Sequence, residues 1–403
     1  MKKKIIFLMI LTIPYTVYAQ NSDFQTLLDS AKLEFFNEDA DYYRAASLLE
    51  QAVLLRPRDA ETRYFLGYAY SRINSRDGEN IVDMSWNLTV KTSEQFEKVN
   101  QLSPRYTGEM ILLDPYSKLS SEWASLAMNY LYKSQPDSAL MALYEGKQRG
   151  GFNDFTLSLN RKILDRCNKN AILISAGDRF TMPIQYLQTV ENYRTDVAVV
   201  DVFLLASQWY PPFLAARKTV EFDMPAEALD TVGVRLWTDR TVSINNFSWT
   251  LKPSYYRTYS FLVRNDLLLL SILQKNKFKR DIYFVPGFPS ERLLSLDNYL
   301  TSLFIVNKLT VKNNLNLSFD EYKQLLISAL QDVNKINANS SDELRLLDFL
   351  RVNICNTLHK NHYFDPDNIA KGKELIKLMK NLANEQYYPI LLEDLKNYLD
   401  MFE

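Results

Sequence analysis

A chain of 403 residues with 47% hydrophobic and 13% aromatic side chains can fill two or three packed cores, and that composition excludes a disordered chain. A formal net charge of −1 supplies no field for polyanions, so no nucleic-acid partner is expected. Only 10 glycines over this length favour helices over a turn-rich β protein.

Residues 1–19 read as a secretory signal peptide. Met1-Lys2-Lys3-Lys4 is a charged start, Ile5 to Ile13 is an apolar core, and Val17-Tyr18-Ala19 is a small-x-small cleavage site. The apolar core is short of the ~20 residues a membrane span needs, so the mature chain is expected to start at Gln20. No Cys follows for a lipid anchor. The style is bacterial, and the expected destination is the periplasm or cell envelope, or secretion. Val197–Ala206 is too short to span a bilayer and contains Asp201, so the mature protein is expected not to be membrane-spanning.

Residues 20–150 read as helical hairpins. Phe24, Leu27, Leu28, Ala31 and Phe35 recur at helical spacing, and Ala45, Leu48, Leu49, Ala52 and Val53 repeat the pattern before Pro57. Leu66, Gly67 and Tyr70 follow in the next helix. Phe96, Val99 and Pro104 close a second unit, with an insertion around residues 76–87. A third unit carries Trp123, Leu126, Ala127 and Tyr130, turns at Gln135-Pro136-Asp137-Ser138, and ends with Ala139, Leu143 and Gly146. Small residues at Ala52 and Gly67 let paired helices approach, while Tyr70 fills the space beside them. On Leu66-Gly67, Tyr70, Ala45, Ala52 and Pro57 the segment resembles the tetratricopeptide repeat. That resemblance implies a stack of helix pairs with a surface for a protein or peptide partner.

Residues 151–317 form the expected central domain. A helix over 153–168 leads into Ala171–Ala176, a short apolar strand bounded by Gly177-Asp178. Thr181 and Pro183 read as a helix start, and Asp196–Leu205 as a second, buried strand of a parallel sheet. Val232–Leu236 and Thr241–Ile244 are candidate strands of a hairpin, Ser260–Asn276 is a candidate helix, and Asp281–Pro286 is a third strand. Leu293–Leu303 reads as a helix and Phe304–Thr310 as extended. Residues 318–403 return to helices: Ser318 with Glu321 forms a capping box, and helical patterns follow over 344–358, 367–382 and 389–402. The expected fold class is thus α/β plus α. A Rossmann-like three-layer domain is flanked by tetratricopeptide-like helical hairpins.

The central block resembles a second family. Ala176-Gly177-Asp178, Met182-Pro183, Tyr186-Leu187-Gln188, Arg194-Thr195-Asp196-Val197 and Trp209-Tyr210 run in the order seen in the soluble C-terminal part of bacterial protein O-mannosyltransferase-like membrane proteins, a domain of unknown function. Asp266–Leu273, Lys279–Phe284 and Leu296–Leu300 extend the likeness. The membrane-embedded part that would carry glycosyl transfer has no counterpart in this chain. Ala176 and Arg179 stand where that family has polar and small polar residues. The resemblance therefore implies a shared soluble domain rather than transferase activity.

In an open parallel sheet, ligands bind beyond the carboxyl ends of the strands. Asp178, Arg179, Asp201, Ser207 and Trp209 fall there and are the candidate ligand-binding residues. Asp178 can equally close its own turn, and Trp209 can pack against helices. No P-loop, G-x-G-x-x-G, G-x-S-x-G or HExxH is present, so no catalytic residue and no cofactor is assigned. His359 and His362 have no acidic or Cys partner in phase, and no metal site is expected. Cys167 and Cys355 read as two buried thiols, with a disulfide as the alternative in an oxidising compartment. Two functional readings result: a non-catalytic protein-binding scaffold in the cell envelope, or a protein that binds or processes a glycan or sugar phosphate at the strand ends.

Overall fold

A computed structural model describes residues 23–37, 39–256, 258–310, 318–338 and 343–350, with residues 353, 370, 373, 374, 377 and 378 beyond them. The anticipated signal peptide, Cys355, both histidines and the helix over 389–402 lie outside the described residues. The protein mixes helices with a mixed sheet, and it divides into two units, Met1–Phe152 and Asn153–Glu403.

The first unit is a run of helices: α1 (23–36), α2 (Tyr42–Leu55), α3 (Ala60–Ser75), α4 (Trp86–Leu102), α5 (Pro115–Tyr132) and α6 (Pro136–Gln148). Aspartates start three of them. Asp41 and Asp59 accept from Arg44 N and Thr62 N at 3.0 and 2.8 Å, and Asp114 caps α5 with Pro115 at its first position. Neighbouring helices pack where one offers a small residue to a ring of the next. Gly67 of α3 faces Phe96 of α4, and Gly146 of α6 faces Trp123 of α5. A Cβ on these glycines would sit 2.9 Å from the Phe96 ring and 2.5 Å from Trp123 Cβ, so the close approach needs glycine. Fully burying a ring such as Phe96 contributes about 1.5–3 kcal/mol. Two tyrosines of α3 fix the segment before α5. Tyr64 and Tyr68 hydroxyls donate to Leu113 O at 2.8 and 3.2 Å and accept from Ile111 N and Leu113 N at 3.0 and 2.6 Å.

The second unit opens with α7 (Asp154–Arg166), then β1 (Ile172–Ser175), α8 (Asp178–Val190), β2 (Ala198–Asp201) and α9 (Tyr210–Ala216). Five short strands follow: β3 (Arg235–Leu236), β4 (Arg240–Ile244), β5 (Phe247–Leu251), β6 (Ser254–Tyr256) and β7 (Tyr259–Leu262). The chain continues with α10 (Arg264–Asn276), β8 (Ile282–Phe284), β9 (Leu300–Ser302), β10 (Asn307–Leu309) and α11 (Phe319–Asn334). The main sheet has the order β2-β1-β8-β10-β9. β1 is parallel to β2 and β8, whereas β10 is antiparallel to both β8 and β9. Only its first three strands are therefore the expected parallel sheet. Helix α11 joins this unit through Asp332, which accepts from Arg166 at 3.0 Å, and through Tyr322, whose ring lies 5.3 Å from Phe304.

Several elements differ from expectation. Val232–Leu236 and Thr241–Ile244 do not form a hairpin with each other: β3 pairs with β7, and β4 with β5. Tyr259–Leu262 is a strand, so α10 starts four residues later than its pattern suggests. Leu293–Leu303 is not a helix, because Leu294 and Ser295 hold φ of 53° and 59°, outside the helical region. Helix α8 begins at Asp178, and Pro183 lies inside it. Pro183 has no N–H for the carbonyl of Arg179, and Asn160 of α7 supplies the missing donor, Nδ2 to Arg179 O at 3.0 Å. Among the described residues no helix is long and apolar enough to cross a membrane.

Candidate functional site

The five candidate residues lie on the two connections that leave β1 and β2. Asp201 ends β2 with 1% exposure and is the centre of the arrangement. Its Oδ2 accepts from Gly177 N at 2.9 Å and from the Thr181 hydroxyl, and its Oδ1 accepts from Phe203 N and Leu204 N at 2.8 and 3.0 Å. Burial pushes this carboxyl above its ordinary pKa, against the pull of the Thr181 hydroxyl and backbone N–H groups that favour the anion. Asp178, the first residue of α8, adds a like charge that raises it further. Gly177 holds φ at 81°, where a side chain is strained, and so turns its N–H toward Asp201.

The N–H just before α8 and the Thr181 hydroxyl of its first turn are thus taken up by the chain's own Asp201 carboxyl group. Asp178 and Arg179 are half-buried beside it. Ser207 donates its hydroxyl to Leu204 O at 2.7 Å, and Trp209 is buried with its ring 5.2 Å from Tyr210 and 5.8 Å from Phe213. Asp201 and the turn at residues 177–181 come together. Ser207 and Trp209 instead serve the connection from β2 to α9.

The neighbouring polar residues extend this pattern. The Tyr210 hydroxyl accepts from Asp201 N at 3.1 Å. Gln188 Nε2 donates to Arg194 O and Val197 O at 2.9 and 2.8 Å. Arg194 donates to the carbonyls of Leu164 and Cys167 at 2.6 and 2.9 Å and pairs with Asp196 at 2.9 Å. That bond from Arg194 holds the Asp196 carboxyl down at about 2. Arg280 reaches Asn170 O, Thr219 O and Ala171 O, and Arg264 reaches Leu229 O and Val232 O. These arginines were invisible as site residues in the sequence. Arg194 and Arg280 were read only as parts of the runs 194–197 and 279–284, and the carbonyls these arginines meet are up to 110 positions away.

Cys167 is buried, and its thiol is pushed up to about 12 by desolvation, so it does not behave as a nucleophile at neutral pH. Among the described residues no group of three His, Cys, Asp or Glu side chains is arranged to hold a metal ion.

A separate cleft of about 580 Å³ opens beside β5 and β6. Trp249 and Tyr299 contribute aromatic walls, and Asp266 of α10 lies in its lining. Asp266 accepts from Arg292 at 2.9 and 3.0 Å and from Val263 N at 3.2 Å. None of the five candidate residues lines this cleft. Its polar pairs, Ser290-Glu291 and Asp297-Asn298, carry the only sequence signal it has: polar runs within an otherwise apolar stretch.

A family model described as TMEM260-associated domain 2 matches residues 156–218. It is a domain of unknown function related to O-mannosyltransferase-like proteins. The match runs from α7 through α9 and takes in Gly177, Asp178, Gln188, Arg194, Asp196, Asp201, Trp209 and Tyr210. Gly177, Gln188, Arg194, Asp196 and Asp201 all make hydrogen bonds within this stretch, fixing turns from the end of α7 to the start of the β2–α9 connection. No curated protein matches the chain.

Proposed function

We propose that the protein is an exported, non-catalytic scaffold of the bacterial cell envelope, carried there by residues 1–19. On this reading the first unit is a tetratricopeptide-like repeat that receives a protein or peptide partner, and the second is a Rossmann-like platform. The observation that carries the proposal is the outward face of α2. Tyr43 and Leu54 are 74% and 81% exposed and eleven residues apart, three helical turns, so they share one face. The inward side of the same helix is fully packed by Ala45, Leu49 and Ala52. Large apolar side chains left outside a complete core are what a partner can cover.

A glycan or sugar phosphate at the strand ends draws less support. Asp201 has both oxygens engaged, and Trp209 is buried. The test is in-cell crosslinking of the full-length protein followed by mass spectrometry, with the Tyr43→Glu, Leu54→Glu double variant alongside. A protein crosslinked through α1–α2 in the wild type and lost in the variant, at equal thermal stability, is the expected result. Crosslinks that persist in the variant would sink the reading.

A further inference from the structure

We propose that the cleft beside β5 and β6 binds a neutral saccharide, a site independent of the helical surface of the first unit. Three features converge on that ligand class. The volume, about 580 Å³, falls in the roughly 300–1,000 Å³ range of small-molecule sites. Asp266 and Ser295 apart, six polar side chains that line it are unengaged. Among the described residues, Thr250, Lys252, Ser290, Glu291, Asp297 and Asn298 are exposed at the cleft, and none has its side chain in a hydrogen bond or ion pair with another described residue. They include carboxylate acceptors, an ammonium donor, an amide and hydroxyls. A sugar hydroxyl both donates and accepts, and such a mixed set matches it group by group.

The third feature is charge. The cleft's buried carboxylate, Asp266, is paired with Arg292, whose Nη1 donates to both of its oxygens, and Arg292 itself is not among the residues that line the cleft. What remains is Lys252 against Glu291 and Asp297, a slight negative balance that repels phosphates and acidic sugars. The aromatic wall is rigid. Trp249, buried and anchored by its indole N–H to Leu294 O at 2.8 Å, backs the cleft, and the half-buried Tyr299, edge-on to Phe247 at 4.8 Å, gives the apolar surface beside the polar rim. A sugar ring presents the same division, C–H faces and hydroxyl edges.

The full-length protein is applied to an array of neutral, sialylated and sulfated oligosaccharides together with a trilysine peptide. The neutral oligosaccharides that bind are then titrated in solution by following tryptophan emission. Binding to neutral oligosaccharides is expected. Asp297→Asn and Asn298→Ala, both at exposed positions, should each weaken it by roughly tenfold or more with the melting temperature unchanged. Tyr43→Glu should leave it as it is, which separates this site from the partner surface. No binding to neutral oligosaccharides, binding only to acidic ones or to the peptide, or equal binding by both cleft variants would overturn the proposal.

Discussion

In the first unit the chain is fixed by rings and small residues: Gly67 lies under Phe96, Gly146 against Trp123, and Tyr64 stacks on Tyr106 at 4.9 Å. In the second unit the equivalent positions are fixed by charge. Asp201 gathers four donors, Arg194, Arg264 and Arg280 gather carbonyls, and Asp266 binds Arg292. The reason lies in the elements joined. Helices satisfy their own backbone and need only surface complementarity between them. A parallel crossover ends each strand inside the protein, where the turn's N–H and C=O groups require partners. The two units should therefore fail in different ways when altered.

The largest effect is expected at Asp201. Asp201→Ala strands the N–H groups of Gly177, Phe203 and Leu204 and should cost about 3–5 kcal/mol in urea unfolding of the second unit. A loss below about 1 kcal/mol would remove it from its central place. Gly146→Ala comes next and tests the other chemistry. Its new Cβ meets Trp123 Cβ at 2.5 Å, and a cost of about 1–3 kcal/mol is expected in spite of alanine's better helix propensity. Arg194→Lys loses the planar reach to three carbonyls and should cost about 1–2 kcal/mol, read from the shift in urea midpoint at constant slope.

The pH profile sharpens the contrast within the second unit. Asp196 is held below its ordinary 3.8, so its contribution is present above 3.8 and is lost as pH falls through about 2. The stability difference between wild type and Asp196→Asn should be constant at neutral pH and vanish below about pH 2. Asp201 acts in the opposite sense. Its raised folded pKa favours the folded state fully below 3.8, and that advantage declines as pH rises through the raised value. The smallest stability effect belongs to Tyr43→Glu, within about 0.5 kcal/mol, because the Tyr43 side chain is 74% exposed among the described residues. A large destabilisation there would show that the face is already covered.

How far the sequence could be read follows the same division. The helices of the first unit were legible because Ala45, Ala52, Phe96 and Trp123 fall at the 3.6-residue period that packing demands. The β1–α8–β2 crossover was legible from its two apolar runs. The extent of β2 was not, because Val202 and Leu205 continue the apolar run while the Asp201 side chain captures the N–H groups of Phe203 and Leu204. In the small sheets β3 and β4 were expected as strands, but their partners β5, β6 and β7 and the pairing were not. β3 and β7 are joined across more than twenty residues, and strands as short as β6 and β7 carry too little alternation to register. In 293–303, Leu293, Leu296 and Leu300 imitate helical spacing, and only backbone angles reveal the loop. Of the candidate residues, Asp201 was singled out for a ligand, yet its donors come from its own chain. The cleft's polar groups were passed over because none belongs to a motif.

The main sheet also carries a consequence at its rims. Its outermost strands, β2 and β9, are four and three residues long. An exposed strand edge is a template on which a second molecule can lay down its own backbone, and each extra residue lengthens the row of open amides. Rims this short offer an incoming strand only about one or two bonds, too few to begin the stacking that grows a fibre. The short outer strands thus act as a guard against self-association.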